Sequence, residues 1–574
     1  MKLKSRRVVG SSLAMALLGG FLPNLVGAQA ATPERGAILA ARAKSIAATK
    51  ADIEALIERY GGLEEISYEL EPFVEEVSFV MEEQEESGDV RFYKGGHHFG
   101  RGITQLALLE EWSAGSSGEM ALEAIIDFDR KLKALGIDLI VVPVPSKLEA
   151  YPRAFESEVP EGIPIAVARL THTLKLLEAD VEVVDLLPTL LETMTEDDAI
   201  PVYERSGHHI SGIGVRAVAE LIQKRLDRYR FTGRDAQRFT DVQRTGTERV
   251  NRNVAMECWE VLDRGETYEH VTDSELLVMG DSHAFAYGKA SWTCQTARCA
   301  GIPITDISVS GGAATAHLRL ASLGLDMLKK RRAVIWVMTS VAMSREWDKA
   351  EILQNPSIPG LLVAGAIDEA IAAFQASEGE LTGLGVRETE LDELGRRLIN
   401  DPETQDQAIA ILEINARVFP FSAVAHDSVA RACMSTGLNE KAIASFKQVL
   451  SLNPEESIRG NAVAALRQLG VEYEAPAKHR MTVAAMEALV GRYTLTSDNV
   501  GHVRIKDGAL EFEFIGQPVV ALEPLSNQRF TTTVGFVIEF VPGIGERGGD
   551  SMQVVLSGEG QTFKGRRVSK VPGS

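Results

Sequence analysis

At 574 residues the chain exceeds what one hydrophobic core supports, and about two to four domains are expected. Its 45% hydrophobic content is that of a folded protein. The formal charge is −21, and removal of Lys2, Lys4, Arg6 and Arg7 with the leader described next takes it to −25. Nucleic acid is excluded as an expected partner, because affinity for phosphates needs clustered cations.

The chain opens with "MKLKSRRVVGSSLAMALLGGFLPNLVGAQAA": cations without an acid, an apolar stretch interrupted by Gly and Pro, then Ala28-Gln29-Ala30 before Ala31. This predicts a signal peptide over 1–30 and a periplasmic or secreted bacterial protein. Ser5-Arg6-Arg7 gives the leader a faint twin-arginine character. No later segment has about 18 uncharged apolar residues, so no membrane span is expected. The cysteines Cys258, Cys294, Cys299 and Cys433 would meet an oxidising compartment. Cys294 and Cys299 are close enough in sequence to pair, as a disulfide or as two buried thiols, and their spacing fits no zinc pattern.

Residues 37–59 read as a charged amphipathic helix, followed by an acidic stretch. Helical and strand patterns then alternate: "MALEAIIDFDRKLKALG" with "IDLIVVPVP", "VARLTHTLKLLEA" with "DVEVVDLL", "GVRAVAELIQKRL", "ELLVMG", "GIPITDISVSG" and "HLRLASLGLDMLKKRRAVIWVMT". Short strands buried on both faces between helices predict a parallel sheet in an α/β domain over 31–355. From 360 to 475 the strand signals stop. "AIAILEINARVFP" and "AIASFKQVLSLNP" place Ala408 and Ala442 34 positions apart, the period of a tetratricopeptide helix pair, and Pro420 and Pro454 keep that interval. "AIDEAIAAFQ" near Ala370 looks like a degenerate copy. Such an array binds or spaces, and a protein partner is expected for it. From 480 to 574 the period changes to two, with a hairpin signal at Asp507-Gly508 in "HVRIKDGALEFEF". This predicts a small antiparallel β domain.

The candidate chemistry lies at "ELLVMGDSHAFAYG", residues 275–288, where a buried strand meets a glycine, then Ser282 and a helical pattern. α/β enzymes present nucleophiles this way, at the carboxyl ends of strands. Ordinary helices are also capped this way. A serine hydroxyl needs a histidine to take its proton. His208-His209 in "VYERSGHHISGIGV" precede an amphipathic helix, and His97-His98 in "YKGGHHFGRG" lie in a glycine-rich loop. Adjacent side chains diverge, so neither pair is expected to hold a metal ion.

"VYERSGHHISGIGV" resembles the segment Y-x-R-[ST]-D-x-H-W-[ST]-x-x-G of the alginate O-acetyltransferases of the AlgX and AlgJ type, which have an SGNH-hydrolase-like, flavodoxin-like fold. "VVPVPSKLEAYP", "VMGDSHAF" and "RRAVIWVMT" follow in the family's order, so the resemblance spans residues 90–350. It implies that Ser282 is the nucleophile, His209 the general base and Lys147 a substrate-binding residue. The family's acid falls on Gly207, its Trp after the histidine on Ile210, and its charged residues after the late Trp are missing after Trp336. Glu204 is the first candidate to replace the acid, level with no acid at all and ahead of Asp185 and of Asp281, whose side chain should point away from the serine. The resemblance implies acetyl transfer to or from a polysaccharide hydroxyl, with a membrane-bound protein as donor and no cofactor. A non-catalytic glycan-binding or scaffold protein with a degenerate SGNH fold is the alternative, favoured by Gly207. A water-accepting esterase of the same fold is a third. "LVGRY" and "KDGAL" faintly resemble the β module behind tetratricopeptide-like helices in some secreted serine hydrolases.

Overall fold

A computed structural model describes residues 33–569, except 85–90, 101–102, 105–115, 195–200, 249–253, 345–346, 364–365, 377–387, 421, 453, 455, 473–478, 495–499, 515–518, 533–536, 545–549 and 559–560. The expected leader lies outside these residues. Among them, no helix is long and apolar enough to cross a membrane.

Helices Pro33–Arg59 and Leu63–Glu83 come first, the second taking in much of the acidic stretch. The segment "YKGGHHFG" is no loop: β1 (Arg91–Lys94) and β2 (His97–Gly100) form an antiparallel hairpin. Gly95 and Gly96, both at positive φ, supply its turn, as a two-residue connection requires. Next come β3 (Asp138–Val144) and β4 (Glu182–Val183), then an antiparallel sheet of β5 (Phe239–Thr247), β6 (Ala255–Asp263) and β7 (Glu266–Thr267). This three-stranded insertion has no counterpart in the sequence reading. Strands β8 (Leu276–Gly280), β9 (Thr305–Asp306) and β10 (Ala333–Thr339) complete the α/β part.

The main sheet runs β4-β3-β10-β8-β9, and every pairing in it is parallel. Its inner strands β3, β10 and β8 are apolar along nearly their whole length because both faces are covered. Ile140, Val142, Val278, Ile335 and Val337 pack into one layer with Val215, Val218 and Ile222 of helix Gly212–Leu226. Leu139, Val141, Met279, Val334 and Trp336 face the other way, onto Phe128 and Leu132 of helix Ser116–Ala134. The result is a sheet between two helical layers. The chain leaves β3 for one edge strand and β8 for the other, with β10 between them. The crevice outside the carboxyl ends of β3, β10 and β8 is where such sheets place their sites.

One glycine fixes that edge. Gly280, the last residue of β8, sits at φ +148°, and a Cβ there would lie 1.7 Å from the Val337 carbonyl oxygen. Gly280→Ala should destabilise the domain by more than about 3 kcal/mol, since it combines backbone strain with a clash against main chain. Chemical denaturation of the purified variant checks this.

Between 358 and 468 all the described regular elements are helices. Ala408 and Ala442 are each the fourth residue of their helices, Gln405–Val418 and Asn439–Ser451, and each is 0% exposed. Pro420 follows the first of these by two positions. After the short helix Val483–Glu487 come β11 (Gly491–Thr494), β12 (Val500–Lys506), β13 (Ala509–Phe514), β14 (Val520–Pro524), β15 (Arg529–Thr532), β16 (Val537–Ile544), β17 (Asp550–Gly558) and β18 (Gln561–Ser569). They close into an antiparallel barrel filled by Tyr493, Phe512, Phe530, Phe540 and Val554. Asp507 and Gly508, at φ 50° and 77°, turn β12 into β13 with Lys506 opposite Ala509. Within "LVGRY", the Tyr493 hydroxyl donates to the Leu489 carbonyl at 2.6 Å.

All four cysteines are free and buried. Cys294 and Cys299 share helix Trp292–Ala300, where a separation of five residues sends their side chains in different directions. Burial pushes both thiols up to about 11, so they are thiols and not reactive thiolates.

Candidate active site

Asp281 caps the short helix Ser282–Phe285. Its carboxylate accepts from the His283 N–H at 2.9 Å and from the Thr339 N–H at 2.7 Å. That spends Asp281 on tying the end of β8 to the end of β10, and it leaves Ser282 half-buried on the sheet edge. The Ala284 N–H also goes to Asp281, through its carbonyl. Ser282's own N–H remains as a donor beside the hydroxyl, with no acceptor among the described residues.

His209 reaches this edge from a closed loop. Tyr203 and Ile210 form an antiparallel bridge, the Glu204 N–H donates to the His209 carbonyl at 2.9 Å, and the Ser211 N–H donates to the Val202 carbonyl at 2.8 Å. The ends of 204–209 therefore lie side by side, which is why Glu204 meets His209 from five positions away. His209 Nε2 stands 2.9 Å from Ser282 Oγ. Glu204 Oε2 stands 3.5 Å from His209 Nδ1, a little beyond hydrogen-bond length. His209 and Glu204 are nearly inaccessible, at 4% and 1% exposure. With its proton on Nδ1, beside the carboxylate, the imidazole turns the Nε2 lone pair toward the serine hydroxyl. A gap of this size closes with a small side-chain rotation, and such contacts tighten when substrate binds.

The other expected residues fall elsewhere. Gly207 has no side chain to face the imidazole, and its carbonyl accepts from Lys147 at 3.1 Å. Asp185 accepts from Arg169 at 2.8 Å and from the Leu187 N–H at 3.1 Å. Lys147 is neither substrate-binding nor a solvated cation. It is 3% exposed, and its ammonium donates to the carbonyls of His98, Glu204, Arg205 and Gly207 at 2.9, 2.5, 2.9 and 3.1 Å. Main chain absorbs the donors a substrate would need. His97 is a core residue, its ring tilted against that of Tyr151 with centroids 4.2 Å apart; burial, with Lys147 and Arg205 close by, brings its imidazole down to about 3. Trp336 donates to the Ala313 carbonyl at 3.2 Å inside the core.

Two neighbours escaped the sequence reading. His283 is buried with its ring 5.0 Å from that of His209, and His208 lies 4.3 Å from it on another side. Glu248, just past β5, accepts from the N–H groups of Arg205 and Ser206, at 2.5 and 3.0 Å, and from the Ser206 hydroxyl. Among the described residues, no cluster of His, Cys, Asp and Glu has a metal-holding arrangement.

Residues 108–281 match the family model of the SGNH hydrolase-like domain of the acetyltransferase AlgX. The matched segment contains Glu204 and His209 and stops one residue short of Ser282. Among solved structures, the O-acetyltransferase domain of Pseudomonas putida AlgJ is similar over 44% of this chain and 89% of that one, at 15% identity and a TM-score of 0.33. Pseudomonas aeruginosa AlgX is similar over 39% and 57%, at 17% identity and a TM-score of 0.31. Bacillus cereus PatB1 bearing a sulfonyl adduct is similar over 45% and 97%, at 13% identity and a TM-score of 0.31. No curated protein sequence matches the chain.

Proposed function

We propose that this chain, whose residues 108–281 belong to the SGNH hydrolase-like domain family of the acetyltransferase AlgX, moves acetyl groups between a donor and a polysaccharide hydroxyl through Ser282. The observation that carries the reading is the 2.9 Å approach of His209 Nε2 to Ser282 Oγ at the carboxyl edge of a parallel sheet. Helix capping explains the position of Asp281, but it does not require a buried imidazole against the serine hydroxyl.

In this reading His209 Nε2 takes the hydroxyl proton as Oγ attacks the acetyl carbonyl carbon. The carbonyl oxygen becomes an oxyanion next to the Ser282 N–H, which stabilises it. Collapse expels the donor's leaving group, which takes the proton back from His209, and an acetyl ester remains on Ser282. A sugar hydroxyl, deprotonated by His209, then attacks that ester and departs acetylated, restoring the serine. Water in place of the sugar makes the protein an esterase by the same steps. Glu204, behind Nδ1, orients the imidazole and stabilises its cation.

The leader pattern supports a periplasmic or secreted location, and there the donor would be a membrane-bound protein. The helical segment, read as tetratricopeptide-like repeats, would contact a protein partner. No diffusible cofactor enters the scheme.

The measurement that tests the proposal is mass spectrometry of the protein after brief exposure to an activated acetyl ester. The expected result is a gain of one acetyl group on the peptide bearing Ser282, absent from Ser282→Ala. A labelled lysine with an unlabelled Ser282 would overturn the acyl-enzyme and favour the non-catalytic scaffold, the reading that Gly207 supports.

A further inference from the structure

The loop that carries His209 is held by two buried residues of opposite charge. From one direction Lys147 reaches the carbonyls of Glu204, Arg205 and Gly207. Its fourth carbonyl, on His98, belongs to β2, and β2 is itself joined to the loop by the His98 N–H donating to the Arg205 carbonyl at 2.7 Å. Glu248 takes the complementary groups, the N–H groups of Arg205 and Ser206 and the Ser206 hydroxyl. Both residues are 3% exposed. A buried ammonium or carboxylate is costly unless fully hydrogen-bonded, and here all the partners but the His98 carbonyl and the Ser206 hydroxyl are main-chain groups of residues 204–207. That stretch starts at the orienting acid and leads to the base.

We propose that Lys147 and Glu248 are positioning residues for His209, clamping the 204–209 loop so that Nε2 meets Ser282 Oγ and Glu204 stays behind Nδ1. The proposal rests on the acyl-transfer reading of that site. An apolar filler in place of either charge would leave the loop's polar groups unpaired and the loop free to drift. Drift of about 1 Å at a proton-transfer pair is enough for a loss of about 10²-fold in rate.

The test compares wild type with Glu248→Gln, Lys147→Met and Lys147→Arg by steady-state kinetics on an activated acetyl ester and by amide hydrogen exchange. Glu248→Gln should lower kcat by about 10²-fold with KM within about threefold of wild type, and it should raise exchange at Arg205 and Ser206 while distant helices stay protected. Lys147→Arg should recover part of the kcat lost in Lys147→Met, because it keeps donors for the carbonyls. If the buried-charge variants do not fold, Ser206→Ala removes one Glu248 contact and should still lower kcat without moving KM. A wild-type enzyme that is active, with Glu248→Gln or Ser206→Ala at wild-type kcat and unchanged exchange, overturns the positioning role alone. A wild type without turnover instead fails the acyl-transfer reading, and unchanged exchange in the variants would then remove the clamp as well.

Discussion

Ser282→Ala and His209→Ala are each expected to abolish turnover of an activated acetyl ester, with losses in kcat of about 10⁴-fold or more, and the double variant should be no worse than either single one. The non-additivity follows from the geometry. With His209 Nε2 2.9 Å from Ser282 Oγ, the hydroxyl and the imidazole form one proton-transfer unit, and removing either half disables the other. Two residues contributing separately would multiply their losses. Stability should hardly change in Ser282→Ala, because helix capping at this turn is done by Asp281. A folded Ser282→Ala protein with wild-type kinetics would reduce the serine to the residue after a cap.

The division between what was legible in the sequence and what was not follows the range of the forces involved. β3, β8 and β10 were readable because strands covered on both faces must be apolar along their whole length. The Asp507-Gly508 turn was readable because positive φ at two consecutive positions is a local demand on residue type. Ser282 was legible from a buried strand ending in glycine before a helical pattern, and His209 from its place ahead of an amphipathic helix, with the family order pairing the two; the parallel sheet supplies the physical reason, since it gathers strand ends on one edge. Lys147 was misread because its environment is assembled from carbonyls about 50 and 60 positions away, and nothing near it in sequence distinguishes a buried clamp from a substrate contact. Glu248 was invisible for a related reason. It follows β5, whose residues are largely exposed, so that strand lacks the apolar alternation by which strands are recognised. The β1–β2 hairpin was taken for a loop because glycines and histidines dominate its sequence, although Phe92 and Phe99, both 1% exposed, anchor it.

Glu204→Gln should lower kcat by about 10²- to 10⁴-fold while leaving the protein folded. By the resemblance the family's acid falls on Gly207, so in the proposed scheme the base needs a carboxylate from another place in the same loop. The loop's closure supplies one, because the Glu204 N–H donates to the His209 carbonyl and the side chain then lies 3.5 Å from Nδ1. A carboxylate only accepts hydrogen bonds, so it holds the proton on Nδ1 and stabilises the imidazolium that forms when Nε2 takes the serine proton. A glutamine amide can present its NH₂ instead, which selects the tautomer with the proton on Nε2, where it cannot serve as base. The substitution removes a buried negative charge and keeps the shape, so thermal stability should move little and a fall in kcat can be assigned to the chemistry. Comparison with His209→Ala sets the scale: a drop approaching that of His209→Ala would make Glu204 the third member of the unit. A kcat within about threefold of wild type would instead show a histidine that works as a dyad with Ser282, the 3.5 Å approach then being one of packing.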